Sequence, residues 1–212
     1  MKKTVFFIVI LAFSLSSCIE IIEEIHINPD KSGNVIWKID LGVISEMSKM
    51  FMGADEAQML ADIEKFPKKG IKSISEIPGI SNAMVLPRNK ENGSYGLQFD
   101  FQNTKSLNQA YYSLIKTQKK WYYPSLVKVK KRKFKRRDFS PFIDRFDIEL
   151  PKTSDAKVLS LIKVKSIVHL PRETKKVKNK GTYSPEQLTV VQEFSLDQFL
   201  TGSVNTGNKI RF

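Results

Sequence analysis

Across 212 residues, 35 Lys and Arg stand against 22 Asp and Glu, a formal charge of +13, with 41% hydrophobic and 10% aromatic residues. That apolar content excludes a disordered chain, and the length limits the fold to one domain or two small ones. One cysteine excludes an intrachain disulfide, so an apolar core must carry stability, and the cationic excess points to anionic partners.

The chain opens with Met1-Lys2-Lys3, an apolar run from Val5 to Leu15, and the small residues Ser16 and Ser17 before Cys18. This is the order of a secretory signal: charged, apolar, then small at the cleavage site. The run falls short of the ~20 residues needed to span a bilayer as a helix. Leu15-Ser16-Ser17-Cys18 resembles the lipobox of bacterial lipoproteins. The resemblance implies cleavage after Ser17 and acyl chains on Cys18, dividing the sequence into a signal peptide, 1–17, and an envelope domain, 18–212. More than one chain is physically meaningful, because a single acyl anchor holds a protein only marginally. The competing reading is an ordinary secretory signal with Cys18 left as a thiol. Ile19 is not the aspartate that resembles an inner-membrane retention signal, which favours the outer membrane. Glu20, Glu23 and Glu24 loosely resemble the acidic surface-export signals of Bacteroidetes lipoproteins; otherwise they form a linker into the first strand.

Next, Ile25 and Ile27, then Val35, Trp37, Ile39 and Leu41, alternate with period two around Asn28-Pro29-Asp30-Lys31-Ser32-Gly33, predicting a β-hairpin. Ile44, Met47, Met50 and Phe51 suit one helix; Met59, Leu60, Ile63 and Phe66 suit a second, capped by Asp55 and closed by Pro67 to Gly70. Strands are expected around Lys72 to Ile77 and Ala83 to Leu86, then a turn at Asn92-Gly93 and a strand carrying Tyr95, Leu97, Phe99 and Phe101. Leu107, Ala110, Tyr111, Leu114 and Ile115 predict a helix over 104–119. Phe142 and Phe146 are candidate core contacts and Asp147 to Leu150 a short strand. Ile162 to Leu170 reads as a longer strand, followed by a lysine-rich loop with Lys175, Lys176, Lys178 and Lys180. A strand over Leu188 to Phe194, a helical turn over Leu196 to Leu200 and a closing edge strand over Lys209 to Phe212 complete the chain. Hairpins mixed with separate helices predict a single α+β domain with a mainly antiparallel sheet and two or three helices.

The run Lys128 to Arg137 holds Lys128, Lys130, Lys131, Arg132, Lys133, Lys135, Arg136 and Arg137, and follows Trp121-Tyr122-Tyr123. Aromatic residues favour the headgroup level of a membrane, and clustered cations are drawn to anionic surfaces. This pairing is therefore the candidate contact with anionic lipid or glycan; the plainer reading is an edge strand whose lysines discourage aggregation. Met47, Met50, Met52 and Met59 fill core gaps or line a lipid groove. His26 and His169 are the only histidines, and with no second cysteine no zinc constellation is recognisable, so no metal or cofactor is expected. No nucleophile elbow, phosphate-cradling glycine loop or His-Glu-x-x-His helix occurs, which makes an enzyme the minority reading.

Cys18, the hairpin with Asp30-Lys-Ser-Gly33, Ile39 to Met47 ("IDLGVISEM") and the later "HLPRETKKVKN" resemble the LppM-type lipoprotein domain and related Bacteroidetes lipoproteins. The resemblance implies an α+β domain at the envelope surface with a lipid or glycolipid ligand, and assigns no ligand residues. The expectation is a membrane-anchored binding module for anionic lipid or glycan. An assembly lipoprotein with an envelope protein partner is the alternative, an envelope hydrolase or transferase a third reading, and nucleic acid is disfavoured by the export signal.

Overall fold

The computed structural model describes residues 19–41, 54–89, 93–115, 119–139, 159–160, 162–179 and 181–212. Cys18 and the signal segment, the helix expected around Ile44 to Phe51 with Met47, Met50 and Met52, Phe142, Phe146 and the Asp147 to Leu150 strand lie outside them.

The chain starts with strands β1 (Ile19–Ile27) and β2 (Gly33–Asp40), the expected hairpin, paired antiparallel with Ile25 opposite Val35. Its loop is closed by Asn28 N–H to Ser32 O (2.9 Å), while Asp30 Oδ1 accepts from the Ser32 N–H at 3.0 Å. Gly33 is required where it stands, because a Cβ there would meet the His26 carbonyl oxygen at 2.0 Å. Helix α1 (Ala54–Ile74) leads to β3 (Ile80–Leu86) and β4 (Tyr95–Phe101), then α2 (Thr104–Leu114). The short strands β5 (Val127–Lys130) and β6 (Lys133–Arg136) form a hairpin. The chain continues through β7 (Ile162–His169), β8 (Lys176–Lys178), β9 (Thr182–Ser184), β10 (Thr189–Ser195), α3 (Leu196–Leu200) and β11 (Asn208–Arg211).

These strands make two sheets, one of seven strands in the order β3-β4-β2-β1-β7-β10-β9 and one of four in the order β5-β6-β11-β8. All pairings are antiparallel except β1 with β7, which lie parallel at the centre of the larger sheet. The fold is therefore α+β with mainly antiparallel sheets and, among the described residues, helices α1 to α3, as the pattern of hairpins and helices predicts.

One face of the large sheet is apolar along a register row from Phe99 through Val35, Ile25 and Val168 to Val190. Against it pack Ile74 of α1, Leu107, Ala110 and Leu114 of α2, and Val127, Val129, Phe134 and Ile210 of the small sheet. The molecule is thus two layers, the large sheet on one side, two helices and the small sheet on the other. Both α2 and α3 begin with capping boxes, Asn103 with Ser106 and Ser195 with Gln198.

Five sequence expectations are corrected. Pro67 does not close the first described helix, which runs on to Ile74 with Pro67 inside it. The cost of the lost helical hydrogen bond is offset by tertiary packing: Phe66 stacks on Trp37 at 5.9 Å, Ile74 is fully buried, and Gly70 lets Leu97 and Leu114 approach the helix backbone. Residues 72–77 are accordingly a helix end and turn, not a strand; Ile71, Ile74 and Ile77 recur with period three, and Ile77 N–H bonds Ile74 O. The closing strand is not an edge, because β11 lies between β6 and β8. The lysine-rich loop contains β8, where half-buried Val177 packs on the core between two exposed lysines. Asp55 lies in the first described turn of α1 instead of capping it. Of the turn expected at Asn92-Gly93, Asn92 lies outside the described residues; Gly93 has a φ of 65°, and Asn89 N–H bonds Ser94 O at 2.9 Å.

Helix α2 is fastened to the small sheet by Thr104, whose Oγ1 accepts from the Val129 N–H at 3.1 Å, and above all by Asn108. Buried Asn108 accepts from the N–H groups of Leu126 (2.6 Å) and Val127 (3.1 Å) and donates to Thr104 O (2.6 Å) and Val127 O (2.7 Å). Asn108→Ala leaves buried backbone groups unpaired, and a urea melt is expected to show a loss of about 2–4 kcal/mol.

Candidate functional site

Alternation in the small sheet sends every second residue to each face. Val129, Phe134, Ile210 and Val177 are cross-strand neighbours facing the core. The neighbours that face away from it are all cations. Lys128, Lys135, Lys209 and Lys178 form one row across the four strands; Lys130, Lys133, Arg211 and Lys176 form the next. With strands ~4.8 Å apart and ~3.4 Å of rise per residue, the backbone positions carrying these eight charges span about 14 Å by 7 Å.

Lys133 and Lys209 are half-buried and the other six exposed, and among the described residues none of the eight forms an ion pair. Like charges directly opposite on adjacent strands are destabilising, so the face is held together against its own field. Lys209 registers that field: the charge of Lys133, then some desolvation, then Arg211 and Lys135, hold its ammonium below the usual lysine range.

Of the basic residues singled out in the sequence, Lys128, Lys130, Lys133 and Lys135 lie in this grid, Lys131 and Arg132 make the exposed turn, and Arg137 is exposed after β6. Arg136 is corrected. It points inward, pairs with Glu23 of β1 and donates to Ser166 Oγ at 2.6 Å. Glu23 also accepts from Tyr111 Oη (2.6 Å), Ser166 Oγ (3.2 Å) and Trp37 Nε1 (3.3 Å). Burial alone would raise the Glu23 pKa, but the Arg136 charge and the hydrogen bonds from Arg136, Tyr111 and Ser166 outweigh it and hold the carboxyl below its ordinary value. Glu23 is therefore neither linker nor exposed signal, and its neighbours Glu20 and Glu24 also lie within β1.

The aromatic triplet divides in the same way. Trp121 is 93% exposed and Tyr122 57% exposed, whereas Tyr123 packs on the core and stacks on Tyr112 at 5.5 Å. Trp121 and Tyr122 remain the exposed pair, preceding edge strand β5 by a few residues.

Half of the grid was missed by the sequence reading, since Lys176, Lys178, Lys209 and Arg211 come from segments far from the basic run. The available signal was the cation-apolar-cation alternation of Lys176-Val177-Lys178 and Lys209-Ile210-Arg211. The two histidines also come together, side by side on β1 and β7 of the large sheet's outer face. No helix among the described residues is long and apolar enough to cross a membrane.

No family model matches the chain, and a search of curated proteins finds no match. Among solved structures, the chain is similar to the folded domain of the LppM protein of Mycobacterium tuberculosis, determined by NMR. The two share 13% identity over 92% of this chain and 90% of that one, with a TM-score of 0.40. At that level of superposition the likeness assigns no activity, ligand or binding residue.

Removing one partner of the inward pair leaves the other charge buried, so Arg136→Leu is expected to lower stability by about 3–5 kcal/mol in urea melts, with Arg136→Leu/Glu23→Leu recovering much of it. Acid titration of stability provides a second check. Because the folded Glu23 pKa lies below the ordinary 4.5, the unfolded chain takes up the proton first; the contribution is complete above about 4.5 and is lost as pH falls through the lower folded value. Glu23→Gln should flatten that part of the stability profile.

Proposed function

We propose that this chain is a lipid-tethered binding module of the bacterial envelope, whose cationic sheet face docks on the phosphate or carboxylate groups of anionic lipid or glycan. The observation that carries this reading is the double row of four cations, unpaired by acid among the described residues. Eight cations fixed on a sheet have already met the cost of being brought together; an anionic surface relieves their repulsion and releases its own counterions. Tethering supports the same reading. Strand β1 starts at Ile19, directly after Cys18, so acyl chains on that cysteine would hold the fold against the bilayer with no linker between. Across a Debye length of ~8 Å at physiological salt, such proximity decides whether a charged face acts at all. The outer membrane is the favoured location, because the residue after Cys18 is isoleucine.

Co-sedimentation of the mature protein with vesicles tests this directly. Binding to vesicles rich in anionic phospholipid should exceed binding to neutral ones and weaken with salt. Replacing Lys128, Lys135, Lys178 and Lys209 by Gln should lower partitioning by on the order of a hundredfold. Replacing the exposed Lys68, Lys69, Lys72 and Lys105 instead should lower it far less. Equal losses for both sets would reduce the grid to a contribution to net charge. Trp121 offers an independent readout: its emission should shift to the blue on anionic vesicles, and Trp121→Ala should weaken binding several-fold. An unchanged emission spectrum on bound protein would remove the aromatic pair from the interface.

A further inference from the structure

On the opposite side of the molecule, the outer face of the large sheet brings together Glu24 and His26 of β1 and His169 of β7. His26 and His169 are direct partners across the parallel β1–β7 pair, and Glu24 stands two residues before His26 on the same face. Their imidazole rings stack with centroids 3.8 Å apart and planes 7° apart. Both Nε2 atoms approach one oxygen, Glu24 Oε2, at 3.6 Å from His26 and 3.8 Å from His169. The other oxygen, Oε1, accepts from Lys38 Nζ at 3.2 Å, which fixes the orientation of the carboxylate. One donor atom from each of the three residues lies within 4.8 Å of the others.

We propose that Glu24, His26 and His169 are a binding site for a divalent transition-metal ion, with the Nε2 atoms and Glu24 Oε2 as ligands. Metal–nitrogen bonds of about 2.0–2.1 Å with tetrahedral angles place donor atoms about 3.3 Å apart. The two histidine–Glu24 separations lie within a few tenths of an ångström of that value, and the stacked rings must rotate about their side-chain bonds for both Nε2 lone pairs to converge on one ion. The backbone need not move, because the three residues sit on the two central strands of a seven-stranded sheet. Two imidazoles and one carboxylate suit Zn²⁺, Ni²⁺, Cu²⁺ or Fe²⁺ and discriminate against Ca²⁺ and Mg²⁺, which prefer oxygen. Three protein ligands leave at least one position for water or an external donor.

A further observation fits. His169 Nε2 is buried and has no hydrogen-bond partner among the described residues, an uncommon condition for a ring nitrogen that a metal ion would satisfy. The side chains of His26, His169 and Glu24 are 40%, 32% and 20% exposed, so the cluster lies at the surface, and rotation of the His169 ring opens its buried Nε2 to an ion from solvent. The site is independent of the proposed anion-binding face, since the two lie on opposite outer surfaces of the layered fold.

The chain has two histidines and one cysteine, which makes the test clean. The detergent-solubilised full chain, untagged and carrying Cys18→Ser to remove the thiol, is titrated with Zn²⁺ by calorimetry and with Co²⁺ by visible absorption. The expected result is one ion per chain with micromolar or tighter affinity, weakened at least a hundredfold by His26→Gln and by His169→Gln, and about tenfold or more by Glu24→Gln. No stoichiometric binding below about 0.1 mM, or binding that survives either histidine substitution, would overturn the site. Because a substitution in a central strand can disturb folding, the chain with both histidines is also followed by NMR of its imidazole nitrogens. Both Nε2 resonances should move with Zn²⁺, and movement of one or neither would overturn the proposal.

Discussion

The ion pair between Glu23 and Arg136 is the interaction on which the rest of the structure turns. It joins the centre of the large sheet to the small one, and through Tyr111, Ser166 and Trp37 it also ties in α2, β7 and β2. Both side chains are only 14% exposed, so each charge has lost most of its hydration and depends on the other. An apolar pair of the same volume would serve stability as well or better. What the charged pair adds is register. With Arg136 held inward, period-two alternation turns Lys133 and Lys135 outward; a slip of one residue would bury lysines and expose Phe134.

The cationic surface is thus a by-product of how the core is closed. Valines, Phe134 and Ile210 are needed beneath the small sheet, and alternation leaves the opposite positions free of any packing demand. At each of those positions across four strands the chain carries Lys or Arg. The edge strands β5 and β8 also gain protection, because lysine-rich edges resist pairing with another chain. Edge protection accounts for Lys128, Lys130, Lys176 and Lys178; it does not account for Lys133, Lys135, Lys209 and Arg211 on the interior strands β6 and β11. Those four concentrate positive charge where no edge needs defending.

The parallel contact between β1 and β7 has a comparable consequence on the other face. It places His26 directly beside His169, whereas an antiparallel hairpin or a shift of one residue would separate them. Gly33 belongs to the same local arrangement, since it lets β2 approach the His26 carbonyl closely. The two outer surfaces therefore carry different chemistry, a wide field of cations on one and a compact nitrogen and oxygen donor set on the other. Both are built on strands whose inward residues form a common core.

Local signals in the sequence were enough for the first hairpin, the strand from Tyr95 to Phe101, the helix beginning at Thr104, the α+β class and the short cation stretch near residue 130. Each depends on contacts within a few residues: alternation, a glycine turn or a cap. Pro67 was misread because local propensity counts a missing hydrogen bond but not the burial of Phe66 and Ile74 that offsets it. Arg136 was misread because a run of like charges gives no hint that one member meets a carboxylate from the first strand. The same limit hid the second half of the cation grid and the pairing of the two histidines. The sequence by itself determined the periodicities, the charge and the apolar content that a two-layer core requires. Only the tertiary structure decided which cations share a face, which one is buried and which histidines touch, because those relations come from strand order and register, set by long-range packing.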